Sequence, residues 1–350
     1  MPSAPSSSSA RTGRVTRFIL IAIALVGLAV MAWKLSEVFT IAFGGIVGAA
    51  LLRALALPLT RHSHLSEKVS LTLVIVGLLI AAGLVGWLFG TQVAEQANEM
   101  QRLIPEAVHQ LTVALNSSAA GQSVVRMTKQ ALGDSKMISG VGLAAGSLLF
   151  GVADMLLVFF LSIYLAFSPR EYLDGLVRLF PVKQRSRVKS AFLAAGDALR
   201  RWLLAQFIAM GAIGILVGVA MGIMGVPLAF LLGTLAAVLE FIPVVGAVLF
   251  TLPGVLIAFT QGPSMALYVL LAYIGVQQLE SNLVVPLLQR WAVRLPPAIT
   301  LLSVVIGGVL FGAPGLVFAS PLAVVAMTLI RTLYIENTLE HGQPAMGSPD

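Results

Sequence analysis

The sequence predicts an all-α integral membrane protein: a polytopic helical bundle of about eight membrane segments, with two interrupted, re-entrant hairpin-like segments near its C-terminus. Three observations predict it. Of 350 residues, 58% are hydrophobic and only 11% are charged, with a mean hydropathy of +0.96. An ordinary globular domain carries about 25% charged residues. The apolar residues are gathered into blocks, many too long for a soluble core helix and well matched to a bilayer. Two late blocks also share one layout: a proline opener, an apolar half, a Gly/Pro break, and a second apolar half holding another proline, Pro253 or Pro321.

Residues 1–17 are Ser/Pro-rich and then basic, and are expected to form a disordered cytoplasmic N-terminus. A signal peptide is the competing reading. No clean small-x-small site follows before the next apolar block, and Lys34 and Glu37 sit at the junction. Residues 18–90 therefore read as membrane helices one to three, over 18–35, 38–59 and 69–89. The first spans ~27 Å at the helical rise. Arg11, Arg14 and Arg17 precede it, and a second cluster is formed by Arg53, late in the second helix, with Arg61, His62, His64 and Lys68 between the second and third. Excess positive charge marks the cytoplasmic side, so both clusters are expected there, two crossings apart.

Residues 91–139 differ, because their charges balance: Arg102, Arg126, Lys129 and Lys136 against Glu95, Glu99, Glu106 and Asp134. Parity places them outside the cytoplasm. Val93, Ala97, Met100, Ile104, Val108, Leu111 and Leu115 recur at helical spacing, which predicts an amphipathic helix kinked at Pro105. Its apolar stripe needs a partner, either its own membrane domain or a neighbouring subunit. Helix four covers 140–167. Ser168–Pro169–Arg170–Glu171 reads as a capping box with proline in the first turn. Residues 168–201 carry eight basic residues against Glu171, Asp174 and Asp197. They predict a pair of basic amphipathic helices on the inner membrane surface.

The region 202–332 is the expected transport region, and 333–350 a tail. Helix five runs over about 202–225. One block follows from Pro227, broken at Glu240–Phe241–Ile242–Pro243–Val244–Val245–Gly246. A crossing over 264–288 comes next, then the basic loop with Arg290 and Arg294. The second block opens at Pro296–Pro297 and breaks at Phe311–Gly312–Ala313–Pro314–Gly315. Each block is ~50 Å if one helix, too long for a ~30 Å core without steep tilt. Two hairpins of ~23 Å half-helices put Arg290, Arg294 and Arg331 in the cytoplasm with the other basic clusters. Continuous tilted helices are the alternative.

Composition also excludes chemistry. There is no cysteine, so disulfides and thiolate sites are ruled out. Net charge is +7, which topology and anionic lipid explain without nucleic acid. The histidines make no metal pattern, and no Walker A or G-x-S-x-G sequence is present, so no cofactor, metal or enzymatic activity is expected.

Two carboxylates, Glu240 and Glu280, sit within apolar runs, where a charge is costly and usually faces a cavity or partner. Tyr273, Gln277 and Glu280 share one helical face, with Gln278 and Asn282 in the next row. Pro243 and Pro286 withhold donors from the carbonyls of Leu239 and Asn282. Acids beside broken helix suit a proton or hard cation, and amides suit a polyhydroxylated neutral solute. The expected binding set is Glu240, Pro243, Gly246, Gln277, Glu280, Asn282, Pro286, Gly312, Pro314 and Gly315. Interhelical polar packing is the bland reading of the same amides.

In order and spacing, the break around Glu240, the run Gln278–Leu279–Glu280–Ser281–Asn282–Leu283–Val284–Val285–Pro286, Leu295–Pro296–Pro297, the break around Gly312 and Ser320–Pro321 resemble the autoinducer-2 exporter family of permeases. The resemblance covers 18–332 and is densest after Trp202. It implies a homo-oligomeric permease of the cytoplasmic membrane with both termini inside, moving a small polar solute. Family members are linked to export of the quorum-sensing furanone and others to sodium–proton exchange. The alternatives are therefore a cation–proton antiporter using Glu240 and Glu280, with H+ or Na+ as partner, and a structural or regulatory membrane protein.

Overall fold

The computed structural model describes residues 36–63, 65–116, 152–293 and 295–334, and all regular structure among them is helical. The first expected membrane helix, residues 117–151, Arg294 and the tail from 335 lie outside the described residues. The helices are α1 (Ser36–Ser63), α2 (Glu67–Asn116), α3 (Val152–Phe167), α4 (Pro169–Arg178), α5 (Arg185–Ile223), α6 (Ala229–Leu239), α7 (Val245–Phe259), α8 (Pro263–Leu279), α9 (Val285–Gln289) and α10 (Pro297–Ile330). A π-helical turn, Glu280–Val284, joins α8 to α9. Four described helices are long and apolar enough to cross a membrane, or five if α3 and α4, bent by 86°, count as one span.

Two expected boundaries are absent. The third membrane helix and the amphipathic segment after it are one helix, α2, and Pro105 does not break it. Likewise the second basic amphipathic helix runs without interruption into helix five as α5. No proline interrupts either junction, and residues 191–199 are rich in alanine, so nothing stops propagation. A helix collinear with a ~30 Å span cannot also lie flat on the surface, so only α4 can do so. The capping box at Ser168 is also not made: proline occupies the first turn, but the Ser168 side chain makes no cap bond.

The first part of the α2 stripe packs within the chain. Val93, Ala97, Met100 and Leu103 pack on the cluster built from α5, α6, α7 and α8. Gln96 Oε1 accepts the Leu231 N–H at 3.0 Å. That N–H is an open donor in the first turn of α6, whose preceding residue, Leu228, holds φ 62° and offers no side-chain cap. A residue 135 positions away thus caps the helix. The earlier part of α2 stays bare, with Ile80, Val85 and Trp87 well exposed, as a lipid-facing span should be.

Small residues set the tightest contacts. On α1, Gly44, Gly45 and Gly48 admit Val158, Leu161 and Ser162 of α3. On α5, Gly214 and Gly218 meet Gly233 of α6, where an added Cβ would lie 2.8 Å from the Gly214 carbonyl oxygen and 2.8 Å from the Gly218 Cα. This is the small-xxx-small packing that lets membrane helices approach closely. Gly233→Val should therefore push α6 off α5. The expected cost is about 1–3 kcal/mol, read as a lowered midpoint in thermal unfolding of the purified protein.

Both late blocks fold back on themselves. In the first, Gln261 Nε2 donates to the Gly225 carbonyl at 3.0 Å, which brings the two ends of the block together. In the second, Gly312 is non-helical at φ 66°, and a Cβ on Gly307 would meet the Gly315 carbonyl at 2.5 Å and Ala319 at 3.2 Å. Residues eight and twelve positions apart touch only if the chain reverses. One continuous helix would place its ends ~50 Å apart. The first hairpin opens beside the C-terminal end of α5. The second opens near its N-terminal part, where Val293 and Leu295 pack with Leu199 and Trp202. The hairpins thus open toward opposite ends of α5.

Candidate functional site

The tip of the first hairpin is built from five residues between α6 and α7. Ile242 donates to the Leu239 carbonyl at 3.0 Å, and Gly246 to the Ile242 carbonyl at 2.8 Å. Val245 donates to the Pro243 carbonyl at 2.8 Å, closing a γ-turn on Val244 at φ 69°, ψ −55°. A β-branched residue in that region is strained, and such strain concentrates at working sites. The Leu239 carbonyl, expected to be free, is therefore occupied: the turn supplies the donor that Pro243 withholds. Gly246 is required by space, because a Cβ there would run into the Leu239 carbonyl.

Glu240 caps the end of α6 and is 5% exposed. Its backbone carbonyl accepts from Gln206 Nε2 on α5 at 2.7 Å. Phe241 beside it meets Trp202 edge-on, with ring centres 6.1 Å apart, and Phe207 at 6.3 Å. The tip is thereby fixed to α5 at the level of residues 202–207.

Glu280 opens the π-helical turn. Pro286 has no N–H for the Asn282 carbonyl, and the ladder shifts register, with Val285 donating to the Glu280 carbonyl five residues back. The wider turn projects Glu280 toward the hairpin tip. Its carboxyl group faces that of Glu240. Gln277 Nε2 donates to Glu280 Oε2 at 2.7 Å. Two acids 40 positions apart, an amide on each flank and two helix breaks thus converge on one point.

The remaining expected residues divide. Tyr273 is buried against Gly254 with its ring tilted against Phe250, and its hydroxyl has no hydrogen-bond partner among the described residues. Asn282 is exposed and turns back on its own helix, to the Gln278 carbonyl at 2.9 Å and Oε1 at 3.1 Å. Pro286 is exposed and acts through the π-turn it causes. Gly312, Pro314 and Gly315 belong to the second hairpin. Pro314 and Gly315 face a separate apolar cavity of about 690 Å³ shared with Phe39 and Phe43 of α1. No described contact joins these three to the acids. Gln206, an amide within the apolar part of α5, reads from sequence as a helix contact, and it makes one, to the Glu240 carbonyl of the hairpin tip.

Comparison with known proteins places the chain among transport proteins. A family model described as AI-2E family transporter matches residues 19–335. A Mycobacterium tuberculosis (strain CDC 1551 / Oshkosh) protein named "Putative transport protein MT0215" is 28% identical over 320 residues, covering 87% of this chain and 85% of that protein. The Bacillus subtilis (strain 168) protein named "Putative transport protein YrrI" is 25% identical over 163 residues, covering 47% of this chain and 46% of its own length.

Proposed function

The chain belongs to the AI-2E transporter family, and from that premise we propose that it is a secondary permease in which the two hairpins move against α5 and the Glu240–Glu280 pair is the coupling site. Membership makes it a multi-pass membrane transport protein. The single observation that carries the finer reading is the buried Glu240 carboxyl facing Glu280 at the tip of a broken helix. Intramembrane acids are costly, and transporters place them where unwound backbone meets a cavity. The cargo is a small polar solute, held by the carboxyls and the Gln277 amide. Both termini lie in the cytoplasm, the two hairpins are re-entrant from opposite faces, and about eight segments meet the membrane.

A second reading rests on the same pair. Two facing acids can hold one proton between them or one cation, which is the minimum device of a cation–proton antiporter. Packing of residues 93–103 on the first hairpin supports transport over a purely structural role, because that part of the stripe is engaged by the proposed moving element. Flux into proteoliposomes under an imposed proton or sodium gradient, across a panel of small polar solutes, separates the two. Solute accumulation supports the permease, and cation exchange without solute supports the antiporter. Absence of both overturns the assignment.

The topology has its own test. The chain has no native cysteine, so Ala292→Cys in the loop between the hairpins can be labelled without background. It is expected to react with an impermeant thiol reagent only from the cytoplasmic side. Labelling from outside in intact cells would sink the re-entrant placement.

A further inference from the structure

A cavity of about 710 Å³ lies at the bend between α3 and α4, away from the acid pair, walled by α1, α4 and α5. Leu57, Leu173, Leu176 and Leu193 give it apolar walls, and Arg53, Arg170 and Arg200 stand around it with Glu67 and Asp197. The charges are not equally committed. Arg53 is paired with Glu67 and donates to the Ala166 carbonyl at the end of α3, 2.9 Å away. Arg200 Nη2 is 3.2 Å from Asp197 Oδ1, but its Nε is buried with no acceptor. Arg170 makes no ion pair or hydrogen bond among the described residues; the acid it acts on, Asp174 one turn along α4, is already bonded to Lys189. Three arginines thus face two acids, with one whole guanidinium and one buried N–H left over.

We propose that this cavity binds an anionic phospholipid of the leaflet on which α4 lies. Its phosphate sits between Arg170 and Arg200, and an acyl chain runs along the leucine wall. The turn of 86° lays α4 across the axis of α3, as a helix in the interfacial plane should lie. Tyr172, Leu176 and Leu179 are exposed on or just beyond α4. Aromatic and apolar residues at that depth meet the headgroup boundary. Lys189 Nζ donates to Asp174 Oδ1 at 2.7 Å and Arg185 donates to the Arg178 and Phe180 carbonyls, so α4 is fastened to α5 and the cavity keeps its shape. A small soluble anion would satisfy the arginines and leave the leucine wall empty, whereas a neutral lipid would do the reverse. Guanidinium groups favour phosphate oxygens through paired, charge-assisted hydrogen bonds.

The test uses the purified full-length protein in a neutral detergent. Thermal unfolding is followed with added phosphatidylglycerol, phosphatidylcholine of the same chains, or inorganic phosphate. Phosphatidylglycerol alone should raise the midpoint. Arg170→Ala/Arg200→Ala should weaken the apparent affinity by about ten- to a hundred-fold, while Lys183→Ala, the same kind of charge loss outside the cavity, should leave it unchanged. Gly196→Leu guards against a folding defect: its side chain enters open space inside the cavity wall and improves helix propensity. It should keep or raise the lipid-free midpoint yet lose the phosphatidylglycerol response. An equal response to phosphatidylcholine, a full response to phosphate alone, equal weakening by Lys183→Ala, or an undiminished response in Gly196→Leu would each overturn the proposal.

Discussion

Glu280→Gln should abolish gradient-driven accumulation while leaving expression and assembly intact. The substitution keeps the side-chain shape, and the amide can still bond Gln277, whose Nε2 is 2.7 Å from Glu280 Oε2. It removes the charge and the exchangeable proton. In the proposed mechanism one proton or cation is held between Glu240 and Glu280, and its loss to one side of the membrane lets the tip of the first hairpin change position. With Glu280 fixed neutral, that alternation has no second state. A charge-assisted bond of about 1.5–3 kcal/mol corresponds to one or two orders of magnitude in population. Accumulation should therefore fall at least about tenfold. Solute exchange without net proton movement should survive, since the Gln277 amide and the Glu240 carboxyl remain to hold the solute. Glu240→Gln is expected to match it, and the double variant should be no worse than either single one, because both remove the same shared ligand. Wild-type, pH-dependent uptake by Glu280→Gln would make the pair polar packing only. The coupling site would then have to be sought at Asp154, in the first described turn of α3.

The parts of this arrangement that were readable in the sequence are those governed by local rules. Apolar block length, the prolines and the basic loops led to helices, breaks and hairpins, because each follows from hydrogen-bond geometry or transfer cost within one segment. Glu240 and Glu280 stood out for the same reason: an acid in an apolar run is anomalous wherever it points. Their meeting was not readable, since it depends on the first hairpin docking along α5. That docking rests on the glycines at 214, 218 and 233, which look unremarkable in a glycine-rich chain. The π-turn escaped notice because Pro286 signals only a missing bond and not how the ladder repairs itself. Helix ends were misplaced at 90 and 201, where a change of solvent from lipid to water alters composition without stopping a helix. Pattern reports which environment a residue meets; only breakers report where the helix ends.

Gly246→Val should be the most damaging single change at the first break, and Val244→Gly beside it should be tolerated. Gly246, the second residue of α7, lies directly against the Leu239 carbonyl that ends α6, and no side chain fits between them. A valine there must spread the two half-helices at the tip. Glu240, one residue beyond Leu239, would then leave Glu280. The open end of the hairpin has separate fastenings, Gln261 to the Gly225 carbonyl and Gln96 to the Leu231 N–H, so the protein should still assemble. Transport in proteoliposomes should drop to background while size-exclusion behaviour stays that of the wild type. Val244 is the reverse case. Its side chain is exposed and its φ of 69° is one that glycine adopts without strain. Val244→Gly removes that strain at the cost of a freer unfolded chain, two effects of about 1 kcal/mol and opposite sign. Transport should persist within a few-fold. Pro243→Ala tests whether the break itself matters, because alanine can donate to the Leu239 carbonyl and extend α6 through the tip. It should fold and lose transport, for a continued helix would carry Phe241 off Trp202 and withdraw the γ-turn that lets α7 double back. If Gly246→Val transports normally, or if Pro243→Ala does, the tip is a packing corner and the two acids meet there without consequence for transport.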